Sequence, residues 1–362
     1  MKNPQKDPFE EYLREAEPER RERGYAWHTA IGLQAVDGLM PSDYLKETAR
    51  KNIEGDISLD QAQTLIETYY QENPEVGEDR TKEADLVSVR IAMLLSENAF
   101  VFSSAQYLSI HRRLFEGIYA HAGKIRDYNI TKKEWVLDGD TVIYGGATEL
   151  RATLEYDLAQ EKAYSYKGLT MTEVIRHLAG FISRLWQIHV FGEGNTRTTA
   201  VFFIQYLRTL GFAVTNDIFA NHAWYFRNAM VRANYNNLKL GVHETTEYLE
   251  LFLRNLLLGE DHEMHNRVMH ISGSFSPVSE QDDPINDPIN DPIKLSDRER
   301  ALLQQLRRSP SLTRKELAEI MQCSESTIKR MLRNLAESKL ITRIGSRKTG
   351  EWVINDSKNI RL

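Results

Sequence analysis

Apolar residues recur at helical spacing along most of the first 260 positions of this 362-residue chain. A repeat of three to four residues places apolar side chains on one face of an α-helix. The pattern predicts helices over residues 29–39, 41–52, 58–70, 83–99, 105–119, 171–189, 198–210, 223–235 and 244–258. Hydroxyl side chains that can cap free backbone N–H groups stand at Ser58, Ser103 and Thr170, close to three predicted starts. The chain is therefore predicted to be mainly α-helical.

One stretch, residues 132–146, departs from the helical repeat and alternates apolar and polar positions as a β-strand does. Asp138-Gly139 lies at its middle and is typical of a two-residue hairpin turn. The sequence therefore predicts a β-hairpin inside the helical region. Because an isolated hairpin is marginally stable, we expect it to pack on helices or to pair with a partner.

A change of composition at residues 272–293 separates the helical region from the rest of the chain. The sequence Asp-Pro-Ile-Asn repeats there, and proline removes the hydrogen bonds that a helix needs. We interpret this segment as a linker. It divides the chain into an N-terminal helical segment at 1–75, a helical core at 80–262 and a terminal domain at 294–362.

The terminal domain is predicted to contain three helices followed by two strands. The helices cover residues 296–308, 313–321 and 324–338, and the strands cover 340–344 and 351–354. This order resembles the winged helix-turn-helix, whose third helix enters the major groove of DNA. The residues expected to contact DNA are Ser326, Thr327, Lys329, Arg330 and Arg333 in the third helix and Arg347 and Lys348 in the wing. A winged helix that binds a protein is the alternative.

Charge supports a separate partner for the terminal domain. Residues 294–362 contain 16 Lys and Arg against 8 Asp and Glu, a net charge of +8, whereas the whole chain carries −6. A basic domain on an acidic body favours duplex DNA as its partner.

The overall composition narrows the class of protein. Hydrophobic residues make up 41% and charged residues 27%, a balance typical of soluble globular proteins, and no apolar run approaches the length of a membrane span. Cys323 is the single cysteine, which excludes a disulfide within the chain and a cysteine-based metal cluster and fits a reducing cytoplasm. We interpret Cys323 as a small packing residue. An assembly of two copies is left open.

The run H-V-F-G-E-G-N-T-R at residues 189–197 lies between two predicted helices and collects groups that bind phosphate. Gly192, Gly194 and Asn195 permit backbone conformations that turn successive N–H groups toward one anion. The helix that follows adds its N-terminal N–H groups. Arg197 adds a bidentate phosphate donor.

The same run contains a base and a metal ligand. His189 can act as a general base near neutral pH, and the carboxylate of Glu193 suits Mg²⁺, which phosphate chemistry usually needs. Together these residues predict phosphoryl or nucleotidyl transfer. A merely structural helix–loop–helix is the alternative.

This run resembles the signature of the Fic family, H-x-F-x-[D/E]-G-N-[G/K]-R-x-x-R. The matching positions are His189, Phe191, Glu193, Gly194, Asn195 and Arg197. The resemblance covers roughly residues 85–260 and includes A-G-K-I-R-D-Y at 122–128, before the predicted hairpin. It implies a helical Fic core with a β-hairpin flap, and an enzyme that moves AMP from ATP to a Ser, Thr or Tyr hydroxyl of a target protein.

The resemblance also implies roles for single residues. His189 would deprotonate the target hydroxyl, Glu193 would bind Mg²⁺, and Phe191 would anchor the loop in the core. The residues that would hold ATP are Gly194, Asn195, Thr196 and Arg197 at the phosphates, and Trp224 and Tyr225 near the adenine. The flap residues that would line up the target protein by β-pairing are Val142, Ile143 and Tyr144.

Two positions depart from the family signature. Thr196 stands where the family has glycine or lysine, and Ala200 replaces the last arginine, which in the family holds the γ-phosphate. These departures keep two alternatives open. One is a catalytically weakened regulator that binds nucleotide or protein, and the other is transfer of a different nucleotide or of a phosphoryl group.

The N-terminal segment resembles the small antitoxin module that restrains some Fic proteins through a helix with the motif [S/T]-x-x-x-E-[G/N]. The matching positions are Asp37 and Gly38, with Leu33 in place of the hydroxyl residue. Because Ala200 removes the usual arginine partner, the usual clamp is not expected. Either the helix docks and obstructs the site by packing, or inhibition has been lost. Glu97-Asn98 is a second candidate for the clamp.

Overall fold

The computed structural model describes residues 17–73, 80–214 and 217–272, and in the terminal domain 301–303, 305–306, 310, 312–321, 323–337, 341–344 and 351–354. The chain divides into two compact units, and the second contains the terminal domain. Residues 273–293 of the predicted linker lie outside the described residues. Within the described part of the chain, no helix is long and apolar enough to cross a bilayer.

The described residues of the first unit are mainly α-helical. The helices are α1 (Pro18–Gly32), α2 (Asp43–Glu54), α3 (Leu59–Glu72), α4 (Thr81–Ser96), α5 (Ser104–Phe115), α6 (Leu150–Ala163), α7 (Met171–Ile188), α8 (Asn195–Thr209), α9 (Ile218–Asn221), α10 (Ala223–Ala233) and α11 (Glu247–Leu258). Short 3-10 turns lie at Leu33–Asp37, Trp135–Leu137, Leu238–Leu240 and Asn266–Met269.

The hydroxyl caps predicted from the sequence are confirmed. The Ser58, Ser103 and Thr170 side chains accept hydrogen bonds from the backbone of the first turns of α3, α5 and α7. Ser58 and Thr170 form full capping boxes, which satisfy two N–H groups that a helix start leaves unpaired.

Helix α8 forms the centre of the first unit, because nearly all of its side chains are buried. Helices α4, α5 and α7 pack around it. Its buried hydroxyls are satisfied internally, since Thr198 Oγ1 donates to the Gly194 carbonyl (2.9 Å) and Thr199 shares a hydrogen bond with Tyr107 of α5 (2.7 Å). A buried helix with paired polar groups holds its N-terminus at a fixed place.

The N-terminal segment docks on the core. Helix α1 packs along α4, and α2 and α3 complete a small helical module. The buried Asp85 carboxylate of α4 holds this module, because it accepts hydrogen bonds from the backbone N–H and hydroxyl of Ser42 (2.8 and 2.5 Å) and from the Tyr70 hydroxyl (2.8 Å).

The first helix differs from the one predicted over residues 29–39. It begins at Pro18, where a missing N–H is harmless, and it ends at Gly32. A Cβ at Gly32 would lie 2.4 Å from the backbone of Ala220 in α9, so α1 and α9 approach each other closely there. The chain then tightens into the 3-10 turn Leu33–Asp37, and Gly38, with φ of 67°, ends that turn.

Helices α6 and α9 were not among the predicted elements. The core-facing side of α6 includes two carboxylates, Asp157 and Glu161, beside its leucines. Charged residues at buried positions conceal the apolar repeat on which the prediction depended.

The predicted β-hairpin at residues 132–146 is not confirmed. Every residue of this segment is described, and none lies in a strand. Its centre is the 3-10 turn Trp135–Leu137, closed by a hydrogen bond from Glu134 N–H to the Asp140 carbonyl (2.9 Å). The Glu134 carboxylate is fully buried and pairs with Arg227 of α10 (2.8 Å). This buried charge pair fixes the segment to the helices instead of to a second strand.

The terminal domain contains α12 (Arg314–Ile320), α13 (Glu325–Glu337) and an antiparallel pair, β1 (Ile341–Ile344) and β2 (Glu351–Ile354). Residues 301–303 and 305–306 are also helical. The order agrees with the predicted winged helix. The fully buried apolar residues that form its core are Leu302, Leu303, Leu306, Leu317 and Ile328. Cys323 packs against this core, as its interpretation as a packing residue requires.

Candidate active site

His189 ends α7 in a left-handed conformation, with φ of 52°, which few residues other than glycine adopt. Its backbone N–H donates to the Trp186 carbonyl oxygen (3.1 Å), and its ring Nδ1 lies 3.3 Å from the same oxygen. Because a carbonyl oxygen only accepts hydrogen bonds, Nδ1 carries the proton and Nε2 carries the lone pair. The rings of Trp186 and Tyr144 lie 5.3 and 4.3 Å from the imidazole. The orientation of this buried imidazole is therefore well defined.

Asn195, the first residue of α8, closes the loop with its own side chain. Its Oδ1 accepts a hydrogen bond from the Phe191 N–H (3.0 Å), and its Nδ2 donates to the Phe191 carbonyl (2.8 Å). The first hydrogen bond of α8 runs from Thr198 N–H to the Gly194 carbonyl. The three backbone N–H groups before Thr198 therefore form the helix N-terminus, the part of a helix that favours anions.

The two glycines of the loop are required by close contacts. A Cβ at Gly194, where φ is 75°, would lie 2.4 Å from the ring of Phe115. A Cβ at Gly192 would lie 2.4 Å from the Tyr128 hydroxyl oxygen. The loop can therefore keep this path only without side chains at both positions.

His111 of α5 contacts the loop between α7 and α8, and the sequence did not identify it as a site residue. Its Nδ1 accepts a hydrogen bond from Gly123 N–H (2.8 Å), so its Nε2 donates to the Glu193 carbonyl (3.0 Å). Its ring stacks on Phe191 with 3.6 Å between centroids. Both ring nitrogens are used in the neutral form, and burial lowers the pKa of His111 to about 3.

Because His111 is neutral in the folded protein, we expect the folding stability to depend on pH. The pKa of His111 in the folded protein lies below the ordinary histidine value of 6.5, so the unfolded chain binds the proton more readily. We expect the stabilisation to be complete above pH 6.5 and to fall with decreasing pH, by up to about 1.4 kcal/mol per pH unit. Urea unfolding of the natural chain and of His111→Phe between about pH 7.5 and pH 5 measures the difference. If the free energy of unfolding changed equally with pH in the two proteins, His111 would not be the group responsible for this dependence.

Arg126, within the A-G-K-I-R-D-Y run, joins the motif loop to the 132–146 segment. Its Nε donates to the His189 carbonyl (2.8 Å), and its backbone N–H donates to the Val190 carbonyl (2.9 Å). Its two terminal nitrogens donate to the carbonyls of Tyr128 and Gly145. The sequence placed this run at the approach to the flap but did not identify the guanidinium as the connecting group.

Glu193 lies in the loop with its side chain partly buried. The described residues contain no group of three or more His, Cys, Asp or Glu that is positioned to hold a metal ion. Protein-bound Mg²⁺ usually keeps several waters and takes one or two carboxylates together with substrate phosphates. A single carboxylate therefore fits a Mg²⁺ that arrives with a nucleotide better than a permanently caged ion.

Arg197 is fully buried, and its three nitrogens all contact protein groups. Nε lies 2.8 Å from a carboxylate oxygen of Asp37, while Nη1 donates to Gln34 (3.0 Å) and Nη2 donates to Glu83 (2.7 Å). Burial lowers the pKa of Arg197, but Asp37, Tyr119 and Glu83 raise it above its ordinary value. The sequence predicted that this guanidinium faces phosphate. The structure instead engages it with side chains of the N-terminal module and of α4.

The N-terminal candidate for a clamp thus contacts the motif, although not in the way that the family pattern implied. Asp37 pairs with Arg197, three positions before the missing arginine at position 200. The N-terminal segment docks on the core, as the first of the two possibilities requires, and its obstruction of the site stays a prediction. The second candidate, Glu97, pairs with Arg113 (2.7 Å) and not with the motif.

The two departures from the family signature are both buried. Ala200 lies inside the core. The Thr196 hydroxyl accepts a hydrogen bond from the Trp186 indole N–H (3.0 Å), so this side chain turns toward α7 and not toward the loop.

The predicted adenine residues Trp224 and Tyr225 lie in α10 and are buried, at 5% and 1% exposed. Trp224 lies beneath the guanidinium of Arg227 (5.1 Å). Among the described residues, the Trp224 indole nitrogen and the Tyr225 hydroxyl have no hydrogen-bond partner. Unpaired buried polar atoms are uncommon, so these two remain candidates for contact with a ligand.

The three predicted flap residues divide by exposure. Ile143 is 83% exposed, whereas Val142 and Tyr144 are buried. The Tyr144 hydroxyl donates to Glu134 (2.9 Å), and its ring lies against His189. Of the three, only Ile143 is therefore accessible, and Tyr144 belongs to the surroundings of His189.

The predicted DNA contacts lie partly on one described helix. Lys329, Arg330 and Arg333 are exposed on α13, and Thr327 is partly buried near its start. Ser326 lies in the same helix. Arg347 and Lys348 lie outside the described residues.

Two protein-family models match separate parts of the chain. The family model described as Fic/DOC family matches residues 101–207, and the model described as MarR family matches residues 295–348. A search of curated proteins found no match. The first match indicates a transferase of the Fic kind, which moves a nucleotide or a phosphoryl group, and the second indicates a winged helix of a DNA-binding type. The chain therefore contains a Fic/DOC domain and, C-terminal to it, a winged-helix domain of the MarR family.

Proposed function

We propose that this protein transfers AMP from ATP to a Ser, Thr or Tyr hydroxyl of a target protein, with His189 as the general base. The target oxygen forms a bond to the α-phosphorus while the bond between that phosphorus and the bridging oxygen of the leaving group breaks. Pyrophosphate leaves, and the hydroxyl proton passes to Nε2 of His189.

One observation carries this proposal. The Trp186 carbonyl holds the proton of the imidazole on Nδ1 (3.3 Å), which makes Nε2 the nitrogen that can take a proton. The same loop leads directly into the N-terminus of α8, where backbone N–H groups favour phosphate oxygens. A base beside an anion site suits transfer to a hydroxyl and has no purpose in a domain that only binds.

The roles of the remaining residues follow from their chemistry. Mg²⁺ neutralises phosphate charge when it is bound with ATP, and Glu193 would hold it. Asn195 and the glycines keep the loop in shape, and Trp224 and Tyr225 are the candidates for the adenine. Ile143 is the exposed flap residue that a target would meet.

We further propose that the described arrangement is a restrained form of the enzyme. Arg197 supplies a donor for phosphates only after it leaves Asp37 and Gln34, since both contact its guanidinium at 3.0 Å or less. Movement of the N-terminal module would free it. The Asp37 side chain is 23% exposed, so this edge of the contact is accessible.

A second candidate function is a regulator with a weakened Fic core. Ala200 and the engaged Arg197 favour it, because both remove positive charge from the place where a triphosphate would lie. A transfer of another nucleotide, or of the γ-phosphoryl group, is the third.

Labelled ATP separates these functions. The purified chain is incubated with Mg²⁺, a cell lysate and ATP labelled at either the α- or the γ-phosphate, with His189→Ala in parallel. We expect protein label from the α position only, and a loss of at least about 100-fold in the histidine variant, since general bases contribute 10²–10⁴-fold.

The matched control is His262→Ala, because His262 is a surface histidine that pairs with Glu260 (2.6 Å). It should retain full labelling. Label from the γ position would indicate a kinase. If neither label is transferred, by the natural chain or by an Asp37→Ala variant, the result would favour a regulator with a weakened Fic core.

For the terminal domain we propose binding to duplex DNA through the exposed basic face of α13. The expected affinity falls steeply with salt, because each phosphate contact releases counterions and adds about 0.9 to the slope of log K against log salt. Replacing Lys329, Arg330 and Arg333 with alanine together should reduce that slope by about two to three units. Fluorescence anisotropy with a labelled duplex at several salt concentrations measures it. Binding that does not respond to salt would indicate a protein partner.

A further inference from the structure

Thr196 is the residue at which the motif departs from the family signature inside the loop–helix junction, and its side chain has a defined partner. Its hydroxyl oxygen accepts a hydrogen bond from the indole N–H of Trp186, with 3.0 Å between the atoms. Both side chains are buried, at 4% and 1% exposed. A buried indole N–H without an acceptor would cost free energy, so this hydroxyl fixes the rotation of the indole ring.

Trp186 also contacts the imidazole of His189, through both its backbone and its ring. Its carbonyl oxygen lies 3.3 Å from Nδ1, and the same oxygen accepts the backbone N–H of His189 (3.1 Å). Its ring meets the imidazole edge-on, with an angle of 89° between the planes. Tyr144 contacts the imidazole as well, with ring centroids 4.3 Å apart. Any rotation of the indole would therefore remove one wall of the imidazole site.

We propose that Thr196 is a positioning residue for His189 and acts through Trp186. The hydroxyl holds the indole, and the indole holds the imidazole plane while the backbone carbonyl of Trp186 keeps Nδ1 protonated. The inference rests on the proposed function of His189 as base. A glycine at position 196 would offer the indole N–H no acceptor, and a valine would have the shape of threonine but no acceptor. This chain therefore has a hydroxyl at a position where the family signature has no side-chain hydroxyl.

The alternative is an ordinary core hydrogen bond that contributes stability alone. The chain provides a matched example of that alternative on the same helix. The hydroxyl of Thr199 shares a buried hydrogen bond with the Tyr107 hydroxyl (2.7 Å). Neither of these two residues contacts the imidazole in the described structure. Thr199→Val therefore removes a comparable hydrogen bond without affecting Trp186.

The experiment compares Thr196→Val, Thr196→Ser and Thr199→Val in the full chain. The pKa of His189 is followed by NMR of ring-labelled histidine, assigned with His189→Gln, and the Trp186 indole N–H resonance is followed in the same samples. A hydrogen bond from Nδ1–H to a carbonyl favours the protonated ring. If the indole turns in Thr196→Val, the imidazole loses its edge-on contact and this hydrogen bond weakens. We therefore expect Thr196→Val to lower the pKa of His189 and to move the indole N–H resonance. Thr196→Ser should keep both at their natural values, and Thr199→Val should change neither.

Kinetics give the second measurement. We expect Thr196→Val to lower kcat for AMP transfer roughly tenfold to a hundredfold at unchanged KM for ATP, since small misplacements of a catalytic group have effects of that size. In a Trp186→Phe background the same substitution should have no further effect, because its partner is already absent. An unchanged His189 titration in Thr196→Val, with only a loss of stability like that of Thr199→Val, would overturn the proposal. If no AMP transfer occurs in any form of the chain, the proposed function fails while the NMR titration still decides the positioning role.

Discussion

Asp37→Ala is expected to increase AMP transfer and to tighten the binding of ATP with Mg²⁺ by roughly tenfold. The substitution removes the carboxylate that lies 2.8 Å from Nε of Arg197. Hydrogen bonds to charged groups contribute about 1.5–3 kcal/mol, and about 1.4 kcal/mol corresponds to a factor of ten in affinity. The contact between Asp37 and Arg197 is an ion pair without hydrogen-bond geometry. Gln34 and Glu83 still hold the guanidinium, so the lower end of this range is the appropriate expectation. Gln34→Ala added to Asp37→Ala should increase the effect.

The control for this prediction is Asp43→Ala. Asp43 belongs to the same N-terminal module, but its side chain is 97% exposed and pairs with Lys46 on the surface. Isothermal titration with ATP and the initial rate of AMP transfer are measured for all three variants. If Asp37→Ala and Asp43→Ala behave alike, the contact with Arg197 does not restrain the enzyme.

Arg197→Met is expected to destabilise the first unit by about 3–5 kcal/mol at neutral pH, because it removes the buried cation of an ion-pair network. Asp37 loses its pairing with this guanidinium, and Glu83 keeps only Arg80. Glu83 and Asp37 both lie within 3 Å of the guanidinium. Arg208→Met on the same helix is the control, since its side chain bonds to the carbonyl of Leu95. Urea unfolding of each variant measures the loss, and a loss in Arg197→Met no larger than in Arg208→Met would contradict the expectation.

The loss of stability in Arg197→Met should depend on pH. In the natural protein burial raises the pKa of Glu83, but Arg197 and Arg80 lower it more, so its net shift is downward. A lowered carboxylate pKa stabilises the fold above the unfolded pKa and loses that effect as the pH falls. Without Arg197 the pKa of Glu83 is lowered less, because only Arg80 still pairs with it, so the variant loses less of this stabilisation than the natural protein as the pH falls. The two proteins should therefore become more similar in stability as the pH falls below about 4.5.

Several features of the active site were predictable because they depend on neighbours in the sequence. The caps at Ser103 and Thr170 form with residues three positions away, and a helix start needs nothing else. The bend at Gly194 and the closure by Asn195 likewise involve residues within the loop. Local chemistry of this kind can be read directly from the order of residues.

The segment at 132–146 shows where such reasoning fails. Alternation of apolar and polar residues predicted strands, and Val142, Ile143 and Tyr144 do alternate between buried and exposed positions. A strand, however, also needs a partner, and the partner of this segment is the guanidinium of Arg227, which lies 93 positions after Glu134 and pairs with it at 2.8 Å. Periodicity reports which side chains are buried, but not what they are buried against.

The sequence by itself determined the mainly helical fold and the presence of a histidine, a carboxylate and an arginine within one run of nine residues, 189–197. Only the tertiary structure decided what those groups contact. Arg197 contacts Gln34 and Glu83, which lie 163 and 114 positions away, and Thr196 accepts a hydrogen bond from the indole that contacts His189. The physical reason is that propensity, capping and turn formation act over a few residues, whereas the pairing of a buried charge depends on whichever side chain the fold brings within 3 Å.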